Sequence, residues 1–286
     1  MFRKLLKYDL KAIYRIWCIM AAVLMGVTLL SSLCLRISVD KMFDAGEEVG
    51  ALTAIFFLFS VLTFIVYMAV LSISSAATTL LNCLRFYQNC YTDQGYLTFT
   101  LPVTRRQLLL SKTVNAVIWQ TAQILLIFLS LGIFFLIFWP AVAGAGVPFP
   151  QLGQLFSMLQ ISGGWFVAYL PTLLLCAVAA SIYSIAFLFL CITLGSVIFK
   201  KHKLIGAVGV YLGFNFVISI ASSVFSLFGA SALTSGIQQL LWNASSNAAA
   251  GVICLLLLAY AVIMATVGIT FYLITQTLID RKLNLA

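Results

Sequence analysis

Apolar stretches long enough to cross a bilayer recur along this chain, and the polar gaps between them are too short to fold as domains of their own. A helix needs roughly 20 predominantly apolar residues to cover the hydrocarbon layer. Such stretches run over about 16–35, 51–81, 105–138, 165–199, 204–228 and 248–275. Composition agrees: 63% of the 286 residues are hydrophobic, 8% are charged and mean hydropathy is +1.14, values no soluble globular domain of this length approaches. The reading is an all-α polytopic membrane protein, a single transmembrane domain over 1–286 with six transmembrane helices.

The net charge of +9 does not point to nucleic acid, because the sixteen basic residues form short clusters between apolar runs instead of lining one soluble face. They set orientation. A Lys or Arg at the bilayer centre costs about 3 kcal/mol, and loops rich in them stay on the cytoplasmic side. All but Arg36 and Lys41 fall at the amino end, between the second and third stretches, after the fourth, or at the carboxyl end. Both termini are therefore expected inside the cell, with localisation in a cell membrane, that of the bacterial cytoplasm.

At the amino end, Arg3, Lys7, Lys11 and Arg15 recur every four residues, while Phe2, Leu5, Leu6, Ile13 and Trp17 fall on another stripe. This pattern suits an interfacial helix over 1–15, apolar side toward the membrane lipids and basic side toward anionic headgroups. The alternative is a basic flank that merely orients the first span. The run Ile16 to Leu35 is longer than a signal-peptide core, and no small-x-small site precedes Arg36, so it reads as a retained span. The seven cysteines include no C-x-x-C pair and His202 is the single histidine, which supports neither a zinc site nor a disulfide framework.

The remaining gaps read as loops. Arg36 to Gly50 carries Asp40, Asp44, Glu47 and Glu48 and has the acidity of an outer loop. Pro and Gly crowd Trp139 to Gly164, although Leu152, Leu155, Phe156 and Leu159 are spaced as on a short surface helix. Pro171 marks a kink or a start in the fourth span. Gly229 to Asn247 is polar and uncharged, with Leu233, Ile237, Leu240 and Leu241 at helical spacing, the pattern of a short outer or re-entrant helix.

The most elaborate polar feature is the interruption from Asn82 to Lys112, a loop between the second and third spans holding Arg85, Arg105, Arg106 and Lys112. As a helix the preceding run would be about 46 Å long against roughly 30 Å of hydrocarbon, so its end projects into the cytoplasm. Thr104 with Gln107 forms a capping-box pattern and Pro102 bars a helix from passing through, so the third helix starts near Arg105. Between them, Thr92 to Leu101 has what a docking element needs: Asp93 to cap a turn or meet a basic partner, Gly95 for tight curvature, and Tyr96, Leu97 and Phe99 as anchors. Aromatics resting on lipid headgroups would look the same.

Catalytic patterns are missing: the sequence has no H-E-x-x-H, no G-x-S-x-G and no phosphate loop, so this chain cannot hydrolyse ATP by itself. The central turns of the spans contain no ionisable Asp, Glu, Lys, Arg or His, the groups on which ion-coupled carriers usually rely. The uncharged interior favours amphipathic cargo such as peptides, lipids or drugs.

The run D-Q-G-Y-L-T-F-T-L-P-V-T-R-R-Q-L-L-L-S-K, Asp93 to Lys112, resembles the cytoplasmic loop of type 2 ABC exporter permeases, particularly those of Gram-positive bacteria. Asp93, Gly95, Tyr96, Leu97, Thr98, Leu101, Pro102, Arg105, Ser111 and Lys112 carry the resemblance, and Gln94 stands where many relatives have a second acid. The resemblance implies two permease subunits, identical or different, working with two cytoplasmic ABC ATPase subunits. ATP and Mg would be bound by the ATPase and no cofactor by this chain. The segment 82–104 would be the coupling segment, with a short coupling helix at Asp93 to Thr100 and ATPase contacts from Thr92, Asp93, Gln94, Gly95, Tyr96, Leu97, Phe99 and Arg105. A non-transporting scaffold or regulatory protein that recruits a cytoplasmic partner through the same loop is the alternative.

Overall fold

The structure, a computed structural model, describes residues 2–44, 50–92, 104–144, 163–199, 203–226 and 246–282. Among them there is no strand, and the regular elements are six α-helices: α1 (Phe2–Asp44), α2 (Ala51–Tyr91), α3 (Arg105–Gly144), α4 (Gly163–Ile198), α5 (Lys203–Phe225) and α6 (Ser246–Lys282). Each contains a stretch long and apolar enough to cross a membrane, which makes this a multi-pass membrane protein. Helices are the only open-ended solution in lipid, because every backbone N–H and C=O must find its partner within the segment.

Several boundaries differ from those expected. The amino-terminal basic segment and the first span are one uninterrupted helix, α1, because no Pro or Gly separates Phe2 from Gly26. Ile13, expected on a lipid-facing stripe, is 1% exposed within the protein, while Lys7, Lys11 and Arg15 are exposed as expected. The acidic stretch after Arg36 is helical to Asp44, with Arg36 and Asp40 paired at 4.0 Å one turn apart. Pro140 and Pro171 both lie inside helices. Unwinding there would leave backbone groups unpartnered near the apolar layer, so the helix tolerates the proline. The expected short helices near 152–159 and 233–241, and the basic flank at Lys200, Lys201 and His202, lie outside the described residues.

Packing divides the chain into two compact units. The first comprises Arg3–Leu81 and Ile118–Leu155, hence most of α1 and α2 and the later part of α3. A ladder of neutral polar contacts joins its helices. Ser130 Oγ on α3 is 3.0 Å from Thr28 Oγ1 of α1 and 2.9 Å from the Tyr67 hydroxyl of α2, and all three residues are fully buried. About two turns further along α2 and α3, Gln123 donates to Ser74 Oγ at 3.1 Å and accepts from Thr78 at 3.3 Å, and Gln120 accepts from Thr79. Tyr67 also stacks on Phe134 with ring centroids 5.1 Å apart, and Trp17 meets Trp119 at 5.2 Å. Hydrophobic burial does not distinguish protein from lipid tails, so contacts of this kind, worth about 0.6–1.7 kcal/mol each, carry much of the association.

The second unit comprises Met1–Phe2, Asn82–Val117 and Phe156–Ala286. Its centre is α4, whose most apolar 18 residues are 44% buried, against 22% or less for the matching segment of every other helix. Small residues let neighbours approach it. A Cβ on Gly195 would fall inside the backbone of Ala207 on α5, and one on Gly268 of α6 would lie 3.0 Å from the Tyr183 backbone of α4. Polar links reinforce the α4–α6 crossing: the Tyr169 hydroxyl donates to the Ala250 carbonyl at 3.2 Å and the Cys176 thiol to the Leu257 carbonyl at 3.3 Å.

Candidate functional site

The candidate site is the base on which the connection between α2 and α3 stands, and it lies wholly within the second unit. Asn82 to Tyr91, expected as the start of a loop, continues α2 for almost three more turns. The reason is visible in the spacing: Asn82, Phe86 and Cys90 recur every four residues and all three are buried, so they form one stripe of a packed helix. Phe86 stacks on Phe189 of α4 with centroids 3.8 Å apart and planes 7° from parallel. Leu109 of α3, Ile185 and Ile192 of α4 and Ile279 of α6 complete the cluster around it.

Tyr91 closes α2. Its hydroxyl donates to Thr193 Oγ1 of α4 at 2.8 Å, and its backbone carbonyl accepts a hydrogen bond from Lys203 Nζ, at the start of α5, at 3.3 Å. The lysine sits where the helix dipole is negative and satisfies a carbonyl that has no partner within the helix. Thr92 follows, its hydroxyl donating back to the Gln88 carbonyl at 2.5 Å. Across the connection, Thr104 caps α3 as the sequence predicts: its Oγ1 accepts from the Gln107 N–H at 3.4 Å and its carbonyl from the Leu108 N–H at 3.1 Å.

Below these caps the α2–α3 interface is polar. Ser111, Lys112 and Asn115 on α3 and Asn82 on α2 are buried, and Asn82 Nδ2 lies 3.5 Å from the Ala116 carbonyl. The side-chain oxygens of Asn82 and Asn115 accept no hydrogen bond among the described residues. Ser111 and Lys112, the last two residues of the recognised run, are thus core residues of the base, 0% and 8% exposed.

Of the coupling residues expected from the sequence, Thr92 is half-buried at the end of α2 and Arg105 is the first residue of α3. Asp93, Gln94, Gly95, Tyr96, Leu97 and Phe99 lie outside the described residues. Sequence reasoning gave Tyr91 and Thr193 no role and took Lys203 only as part of the basic flank after the fourth span, whereas these residues fasten the base to α4 and α5. The four-residue stripe through Asn82, Phe86 and Cys90 carried the signal for the helix. Nothing in the sequence paired Tyr91 with Thr193, about a hundred residues away.

Among the described residues no group of three or more His, Cys, Asp or Glu side chains could hold a metal ion. Comparison with protein-family models, curated proteins and solved structures returns no match.

Proposed function

We propose that this chain is the membrane-spanning permease subunit of an ATP-driven ABC exporter, with both termini and the connection between α2 and α3 in the cytoplasm of a bacterial cell. The carrying observation is the Asp93 to Lys112 run in the sequence, which leads from the end of α2, tied to α4 through Tyr91, into α3, whose start Thr104 caps. The distribution of Lys and Arg supports the orientation. Cytoplasmic ATPase subunits would supply the energy and bind the ATP and Mg, and a second permease subunit would complete the path for an amphipathic substrate.

In this reading the partner ATPase seats on Asp93 to Phe99 and its closure pushes on both helix ends. A flexible tether would absorb such a push. Here the end of α2 is tied by Tyr91 to Thr193 and Lys203, so displacement passes to α4 and α5. Energetic coupling between sites travels through packed, hydrogen-bonded elements of this sort.

The experiment is co-expression with a candidate ABC ATPase and reconstitution into vesicles. Asp93→Lys and Gly95→Trp are expected to lower transporter-stimulated ATP hydrolysis and export about tenfold while membrane insertion and helicity stay normal. Export at the unmodified rate in both variants would overturn the docking assignment. ATPase recruitment without ATP-dependent movement of any substrate would identify a scaffold instead.

A further inference from the structure

We infer that a groove between the first turns of α3 and the last turns of α6 binds one anionic phospholipid, headgroup outward and chain inward. The groove has a volume of about 520 Å³ and lies within the second unit. That volume falls in the range of sites that hold small organic ligands.

Its lining changes character with depth in a way that matches a lipid. In the sequence the apolar run of α3 follows Arg105 and Arg106, and that of α6 is followed by Asp280, Arg281 and Lys282, so both helices pass from polar to apolar composition here. At that boundary stand Arg106 and Gln107 on α3 and Gln276 and Thr277 on α6, one cation and three neutral hydrogen-bonding side chains. One turn deeper, both helices present apolar surface: Leu110 on α3, and Leu273 with the ring of Tyr272 on α6. Leu110 is 43% exposed and Leu273 51%, so the deep end of the groove opens outward, where lipid chains lie.

Charge selects among lipids. Among the described residues that line the groove there is one cation, Arg106, and no acid. A phosphate diester would accept from Arg106 and the two glutamines, whereas the ammonium of a zwitterionic headgroup would be repelled. Basic pockets between membrane helices recognise anionic headgroups on this principle. Arg106 is not among the residues that carry the permease resemblance, and the inference needs only that the protein lies in a bilayer.

Native mass spectrometry of the purified full chain in detergent, titrated with phosphatidylglycerol or phosphatidylcholine of equal chain length, tests it. The expected result is one phosphatidylglycerol retained in preference to phosphatidylcholine, with retention about fivefold weaker in Arg106→Gln and in Gln276→Glu and unchanged in Lys41→Gln. The comparison of the two lipids on the unmodified protein requires no variant to fold. Equal retention of both lipids, full retention by both groove variants, or displacement by glycerol phosphate at the same concentration as the lipid would each overturn it, the last by showing a site for a free anion.

Discussion

Ser130 shows how much one hydroxyl can do in a membrane protein. It meets Thr28 at 3.0 Å and Tyr67 at 2.9 Å, joining three helices at one point with no exposure to the surroundings. Ser130→Ala is therefore expected to destabilise the first unit by about 1–2 kcal/mol, since it removes both contacts, and Tyr67→Phe by about 0.6 kcal/mol. Unfolding in mixed micelles with increasing sodium dodecyl sulfate measures both, and a Ser130→Ala midpoint equal to wild type would refute the three-way junction. Gly195 and Gly268 act by what they lack. Gly195→Val would drive a side chain into the Ala207 backbone and should prevent α4 and α5 from closing, seen as loss of folded protein on size-exclusion chromatography. Gly268→Ala, with its nearest neighbours at 3.0 Å, should be milder and cost about 1 kcal/mol.

At the level of elements, the end of α2 is held from two directions, and the two attachments can be tested apart. Tyr91→Phe keeps the ring and deletes the hydroxyl bonded to Thr193, while Lys203→Met keeps the stem and deletes the donor to the Tyr91 carbonyl. Each is expected to loosen the last turn of α2, read as faster amide hydrogen exchange over residues 86–91 with the exchange of α6 unchanged. Uniformly faster exchange across all helices would mean that the contacts serve global stability and do not anchor this end. The sequence made the existence of all six helices legible, because apolar stretches of membrane-spanning length leave no other fold. Their ends were less so. Polar Asn82 and Gln88 read as loop, yet Phe86 and Cys90 bury that turn against α4, and tertiary packing outweighs local polarity. Pro140 likewise signals a break in a water-soluble chain, a signal that weakens where an unwound backbone would have no water to bond.

For the whole molecule, charge distribution and the Asp93 to Lys112 run were the only features in the sequence that spoke of function, and both concern short segments between helices. The buried base, formed by residues from α2, α3, α4, α5 and α6, depends on contacts between residues far apart in the chain and, beyond the stripe through Asn82, Phe86 and Cys90, leaves no local pattern to read. The groove beside Arg106 was hidden for the same reason, since its two walls come from segments more than 160 residues apart, which no periodicity links.

The ladder inside the first unit has one more implication. Its rungs, Thr28, Tyr67, Ser74, Thr78, Thr79, Gln120, Gln123 and Ser130, carry no formal charge. A voltage across the bilayer does work only on charge that is displaced along it. The rungs themselves therefore add no gating charge, and any response of this unit to voltage must come from charges toward the helix ends, such as Lys7, Lys11, Arg15 and Arg36.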